Sequence, residues 1–294
     1  MVNGIINVYK EKGFTSFDVV AKMRGIYHQK KIGHTGTLDP DAEGVLPVCL
    51  GKATKVCDML TDRDKEYKAV MLLGISTDTQ DITGTVLYEK EVECSKEDVR
   101  QAIMKFVGKI DQVPPMYSAL KVNGQKLCDL ARAGVTVERK ARQIEIYSIE
   151  IESINLPEVT MKVKCSKGTY IRTLCNDIGE TLGCGACMKS LLRTNSAGLC
   201  LSDSHKLSEL EKNPFMDIIA IDSIFEDYPK INSIESAFKL VKNGNRLPAE
   251  LILIDLEPEE NAKYRLYDHN ERFIGVYTFM SETNDYKPVK IFMD

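Results

Sequence analysis

The sequence predicts a fold of mixed helices and strands that ends in a small β-rich unit, and three patterns carry that expectation. Apolar residues recur at helical spacing in Val19, Val20, Met23, Ile26 and Tyr27, and again in Val99, Ala102, Ile103 and Phe106. Alternation over 144–154 and 159–165 describes two strands placed to pair. Past residue 202, acidic helix-leaning segments give way to short strands, 264–267 and 273–279, around the turn Asp268-His269-Asn270.

Taken in order, Ile5 to Val8 reads as a short strand and Lys10-Glu11-Lys12-Gly13 as a turn. Ser16 is placed to cap the first helix. The apolar run from Val45 to Leu50 reads as a buried strand, followed by a short helix over 53–60 and a strand over 67–73 that Gly74 closes. A polar loop, STDTQDITG, leads to a strand over 85–88. Ser95, with Asp98 three residues on, caps the clearest helix. Two prolines keep QVPPMYSALKVNG out of any central strand position, and 127–133 is helical. Thr169 caps a helix that runs to Leu182, and a Gly-rich break precedes a short helix or strand around 190–193. The boundary of the tail falls between Tyr228 and Ser233, where Pro229 and Asn232 interrupt the pattern, giving domains 1–230 and 231–294.

A chain of 294 residues, 43% hydrophobic, can bury a substantial core without disulfides or metals. It shows no run long enough to span a membrane and no cleavable signal, and nine irregularly spaced cysteines then read as reduced thiols, which places the protein in the cytoplasm. Only Cys184 and Cys187 form a C-x-x-C, with no second pair or His cluster to complete a zinc site. The net charge of −4 conceals segregation. Residues 1–55 hold 8 basic and 5 acidic side chains, 121–142 hold 6 and 2, 161–202 hold 6 and 2, and 203–294 hold 11 and 18. The three basic blocks can serve as solvated surface or gather into one phosphate-binding face.

Several common chemistries are excluded. LGKAT ends like a phosphate-binding loop, but Leu46 stands where the first glycine is needed. Neither G-x-G-x-x-G after a strand nor G-x-S-x-G occurs, and the four histidines have no metal-pair spacing. What remains is carboxylate chemistry, and GHTGTLDPDAEGVLPVCLGKATK, residues 33–55, supplies a carboxylate at a Gly-rich turn beside a buried strand. Asp39 before Pro40 is also an ordinary turn-former. Three further clusters mix aromatics with charge or prolines: DKEYK at 64–68, PPMYSA at 114–119 and KGTYIR at 167–172. Such mixtures suit RNA, where an unstacked base lies on a ring while cations follow the backbone.

Together and in this order the blocks resemble the TruB-type tRNA pseudouridine-55 synthases. The resemblance rests on GHTGTLDPDAEGVLPVCLGKATK, KEYKAVMLLGISTDTQDITG, PPMYSALKVNG with LARAG, and CSKGTYIRTL with LGCGACMKSLLRTNSAG, and spans roughly residues 4 to 200. The tail, with RFIGVYTF and YKPVKIF, is similar to the small PUA-like RNA-binding domain of those proteins. The resemblance implies an α+β fold, a mixed, largely antiparallel sheet flanked by helices, with a cleft for RNA across it. It implies isomerisation of uridine to pseudouridine in the tRNA T-loop by an extruded base, with no cofactor, no metal and no protein partner, in a monomer.

By that resemblance Asp39 matches the catalytic aspartate and Arg172 the arginine that keeps it ionised and oriented. Tyr67 matches the tyrosine that stacks on the flipped uracil. Tyr170 matches the one implicated in proton removal near C5, although an unperturbed phenol titrates near about 10 and would need help. His34 corresponds to a residue that enters the RNA fold as the base leaves it. Lys10 and Asp81 match positions around the uridine pocket and the Asp39 loop, and Leu192 falls where the pocket is lined. Glu11, Cys128 and Cys187 depart from the residues usual at their positions. Two rival functions stay open: a tRNA-binding or folding factor, and the same chemistry on another RNA, alone or in a guide-RNA complex.

Overall fold

The computed structural model describes residues 1–293. One nine-stranded sheet forms the frame of the larger part. Its seven principal strands are β1 (Gly4–Lys10), β2 (Glu43–Leu50), β3 (Lys65–Leu73), β4 (Gly108–Gln112), β5 (Arg142–Asn155), β6 (Glu158–Cys165) and β7 (Ala186–Ser196). They lie in the order β1-β2-β7-β3-β6-β5-β4. Every neighbouring pair is antiparallel except β2 with β7, so the sheet is mixed and largely antiparallel, as the resemblance implies.

That parallel contact is short, Leu192 to Glu43 and Arg193 to Gly44, and it depends on a glycine. Gly44 has φ +104, and a Cβ there would stand 2.3 Å from the Arg193 carbonyl oxygen. A side chain at this position would push apart the two strands that flank the Asp39 loop.

Helix α1 (Ser16–Tyr27) covers one face of the sheet through Val19, Val20, Met23 and Tyr27, against Ile6, Val8, Leu46 and Val48. Helices α2 (Lys96–Met104) and α3 (Ile171–Leu182) cover the other face, where Ile171, Leu174 and Ile178 meet Ala69, Met71 and Met161. Ser95 and Asp98 form the expected capping box on α2. Two other caps differ from expectation. Thr15 rather than Ser16 caps α1, and Tyr170 occupies the N-cap of α3 without a side-chain bond. Ser16 and Thr169 are instead drawn to other backbone groups, Leu38 and Ser166. The segment around 190–193, open between helix and strand in the sequence, belongs to the long strand β7.

The tail holds a six-stranded sheet of β8 (Lys230–Ser233), β9 (Leu247–Pro248), β10 (Ile252–Leu253), β11 (Lys263–Tyr267), β12 (Phe273–Met280) and β13 (Asp285–Ile291), in the order β9-β13-β12-β11-β8-β10. It is not detached from the rest. Val276 and Phe292 share a core with Ile5, Cys49, Val56, Leu60 and Phe225. The Lys55 ammonium donates to the Ile291 carbonyl at 2.7 Å, and the Lys290 ammonium donates back to the Lys55 carbonyl at 2.5 Å. No helix among the described residues is long and apolar enough to cross a membrane.

Candidate active site

Asp39 sits on the loop that leads into β2, and the backbone on each side of it is tied down. The Leu38 N–H donates to the Ser16 hydroxyl at 2.9 Å, and that hydroxyl donates to the Leu38 carbonyl at 3.3 Å. The Pro40 carbonyl accepts from the Lys10 ammonium at 3.1 Å and from the Gly13 N–H at 2.9 Å. Asp39 is thus presented by a clamped turn, which is the combination of a turn and a fixed strand that the sequence suggests. Asp41 and Glu43 stay out of the site: Asp41 is 3.8 Å from Lys12 on the surface, and Glu43 accepts from the Tyr9 hydroxyl at 3.1 Å.

Arg172, one residue inside α3, reaches this carboxylate from across the sheet. Its Nε lies 3.1 Å from Asp39 Oδ2 and its Nη2 3.4 Å from Oδ1. The remaining hydrogens are also used: Nη2 donates to the Tyr117 carbonyl at 2.7 Å, and Nη1 to the Thr79 carbonyl and Asp81 Oδ2, each at 3.2 Å. A guanidinium with five donors meets five acceptor atoms, so its plane is fixed from three segments of chain. Asp81 is held in turn by Thr79 and Thr83, whose hydroxyls donate to Oδ1 at 2.9 and 2.5 Å.

Both tyrosines face the same cleft, a space of about 590 Å³ whose wall includes Asp39, Tyr67, Tyr170, Arg172, Leu191 and Arg193. Tyr67 projects from β3 and is buried, with the Arg193 guanidinium beside its phenol. Tyr170 stands at the start of α3, where Gln112 at the end of β4 holds it by both backbone groups: the Gln112 amide donates to the Tyr170 carbonyl at 3.0 Å and accepts from its N–H at 2.8 Å. Lys65, Arg142 and Lys167 add positive charge to the cleft wall. The second and third basic blocks therefore do converge there. The first block contributes the Asp39 loop to that wall, and none of its cations.

The protonation balance departs from what the arginine alone would give. The Asp39 carboxyl is raised above its ordinary value because the cleft walls strip water from it, and Arg172 offsets only part of that effect. Its side chain remains 42% exposed into the cleft, so the desolvation is partial in the free protein. The Tyr170 phenol is also raised by burial, with Ser118, Arg142 and Arg172 pulling the other way. The help that Tyr170 would need to lose its proton is not supplied: its surroundings hinder the loss on balance. Burial likewise raises Tyr67 and lowers His34.

Of the eight residues singled out in the sequence, Asp39, Tyr67, Tyr170 and Arg172 line the cleft, and Asp81 stands directly behind Arg172. Lys10 is fully buried below the loop and binds three backbone carbonyls, of Glu11, Phe14 and Pro40, rather than facing the opening. His34 lies in a short strand paired with β2, outside the cleft wall. Leu192 is corrected to its neighbour. Side chains alternate along β7, so Leu191 and Arg193 face the cleft and Leu192 points to the other side. Sequence reasoning missed Arg193, which is 1% exposed and donates to Val45 and Gly36 carbonyls at 2.6 and 3.0 Å. It missed Gln112 as well, a buried polar residue at a strand end. A buried arginine inside an apolar strand was the available signal for the first; the second had none.

Comparison with known proteins points to one family. Residues 24–171 match the model described as TruB family pseudouridylate synthase (N terminal domain), and residues 172–217 the one described as tRNA pseudouridylate synthase B C-terminal domain. The two matches meet inside α3, so Asp39 and Arg172 fall on opposite sides of that division. The chain is 50% identical to the tRNA pseudouridine synthase B of Lachnoclostridium phytofermentans, over 99% of this chain and 100% of that one. It is 48% identical to the tRNA pseudouridine synthase B of Clostridium acetobutylicum, over 96% and 97%. A solved structure described as an H/ACA RNP bound to a substrate RNA containing 2'-deoxyuridine matches with a TM-score of 0.71 at 26% identity, covering 99% of this chain and 85% of that chain. A Cbf5-Nop10-Gar1 complex gives 0.71 at 29% identity with the same coverage.

Proposed function

The chain belongs to the TruB family of pseudouridylate synthases, and from that premise we propose that it isomerises uridine to pseudouridine in the T-loop of tRNA. The observation that carries the reading is the Asp39–Arg172 pair at the wall of a cleft that also holds Tyr67 and Tyr170. A protein that only bound or folded tRNA would have no use for a carboxylate held at both oxygens by an arginine that three further contacts fix in place.

The reaction conserves atoms and electrons. The bond between ribose C1′ and uracil N1 breaks, the detached ring turns, and C1′ bonds to C5. The C5 proton leaves and N1 gains one. No oxidant, reductant or water is consumed, so the residues need only extrude the base, stabilise the separated fragments and move a proton. An ionised Asp39 can attack the ribose or the base, or take a proton from the sugar. Arg172 holds its two oxygens in a fixed plane. Tyr67 offers a buried ring face for the extruded uracil, with Leu191 beside it. Tyr170, protonated at neutral pH, is suited to donating a hydrogen bond to the turning base before it is suited to accepting the C5 proton.

Residues 1–230 would form the catalytic domain and 231–294 a PUA-like domain for RNA, with His34 entering the RNA fold beside the cleft. The substrate would be read through the shape of the T-arm and the extruded base. We place the protein in the cytoplasm as a monomer that needs no partner protein. The test is incubation of purified protein with an unmodified tRNA transcript in the presence of a chelator. Pseudouridine should form at the T-loop position, and Asp39→Asn should abolish it while leaving tRNA binding nearly intact. Product from that variant at the normal rate would refute the assignment. Product confined to ribosomal RNA in cells would refute the substrate.

A further inference from the structure

We propose that Gln112 is a positioning residue for the isomerisation, acting through the backbone of Tyr170. The inference rests on the reading of Tyr170 given above. Gln112 is 2% exposed, stands at the last position of edge strand β4, and spends its whole amide on one residue 58 positions away. Its Oε1 accepts from the Tyr170 N–H at 2.8 Å and its Nε2 donates to the Tyr170 carbonyl at 3.0 Å. The pair of bonds is what a neighbouring strand would offer, supplied here by a side chain to a residue with extended geometry, φ −101 and ψ 107. Because one bond needs a donor and the other an acceptor, the amide has a single orientation.

The site has a reason to need this. Tyr170 is the N-cap of α3 and makes no side-chain capping bond; its helix holds its carbonyl, through the Leu174 N–H at 3.0 Å, and its N–H is held by Gln112. Two residues further on, Arg172 must meet Asp39, Asp81, Thr79 and Tyr117 at once. Rotation of the Tyr170 backbone would swing the phenol away from the cleft and would tilt the start of α3 that carries the guanidinium. Gln112 also begins the segment that includes Tyr117 and Ser118, the residues that bind Arg172 and stand beside the Tyr170 phenol. One amide therefore ties the base of that segment to the helix it serves. A displacement of the reacting groups by about 1 Å can slow a reaction by up to about 100-fold.

The test uses single-turnover kinetics with enzyme in excess over tRNA carrying uridine or 5-deuteriouridine. Gln112→Met keeps the volume and removes both bonds, and Gln112→Glu keeps the acceptor and loses the donor. Gln112→Met should slow the chemical step by about 10- to 100-fold, leave tRNA affinity within twofold, and raise the deuterium isotope effect above that of the wild type. Gln112→Glu should fall between the two, and it carries the same measurement if the methionine variant does not fold. Unchanged rates in both variants would overturn the proposal. So would a slower rate with an unchanged isotope effect, because loss of folded protein scales the rate without altering which step limits it. Tyr170→Phe, run alongside, separates the levels: a wild-type rate and isotope effect there would remove the role assigned to Tyr170, and with it the ground for Gln112. A slowed Tyr170→Phe together with unaffected Gln112 variants would leave that role standing and end this inference alone.

Discussion

Arg172 binds both oxygens of Asp39 from 133 residues further along the chain, Nε to Oδ2 at 3.1 Å and Nη2 to Oδ1 at 3.4 Å. The contact is asymmetric in exposure, 7% for the arginine side chain against 42% for the aspartate. The cation is the buried, fully bonded partner, and the anion is the one left open to the cleft.

Lysine should therefore fail to replace Arg172. An ammonium has three donors where five acceptor atoms wait, and it cannot bind two carboxylates and two carbonyls in one plane. Arg172→Lys is expected to lower the single-turnover rate by about 100-fold or more and to lower the melting temperature. A rate within threefold of wild type would show that charge alone suffices.

The pH dependence of the rate should follow Asp39. Its carboxyl is raised by desolvation, and the ionised form is the reactive one, so activity falls as pH drops through a value above the ordinary aspartate pKa of about 3.9. Arg172 opposes the shift, so Arg172→Met should move the acid limb still higher. An acid limb that moves down in that variant would contradict the assignment of the limb to Asp39.

Stability should carry the signature of Lys10, whose ammonium is pushed down to about 8 because burial outweighs the attraction of Asp39, Glu43 and Asp41. The unfolded chain keeps its proton up to about 10.4, so between these values it binds more protons than the native state. The contribution of this group to stability consequently rises with pH across that window. Denaturation of the wild type and Lys10→Met at pH 7 and pH 9.5 should show the wild type gaining on the variant; a constant difference would mean the native pKa is not depressed.

Arg193 should prove structural and catalytic together. Arg193→Met leaves the Gly36 and Val45 carbonyls without their donor inside the protein, which costs about 1–3 kcal/mol. Gly36 opens the loop that presents Asp39, so turnover should fall by more than the loss of folded protein explains. Urea denaturation and rate measurements on the same sample separate the two.

Affinity for tRNA should fall with salt, because exposed cations from two separate sequence blocks, Arg142 and Lys167, meet at one cleft. Two neutralised phosphates would give a slope of log affinity on log salt of about −1.5. A flat response would mean that the cleft does not hold the backbone.

Much of this protein is determined locally. Alternation gives β5 and β6 and their pairing, helical spacing gives α1 and α2, and Ser95 with Asp98 marks a helix start because both partners of that cap lie within one turn. The motif blocks, read together, also determine the family and the four residues that line the cleft. Contacts between distant segments were decided only in three dimensions. Ser16 looks like a cap, but Leu38 takes its hydroxyl from 22 residues away. The one-residue difference between Leu191 and Leu192 is the phase of β7, which its pairing with β2 and β3 sets. Gln112 has its partner 58 residues distant, and no local pattern announces it; Arg193 stands out locally as a charge in an apolar strand, but its partner 157 residues away is set only by the fold. The raised carboxyl of Asp39 depends on how much water the assembled walls remove, a quantity that belongs to the cleft and to no single stretch of sequence.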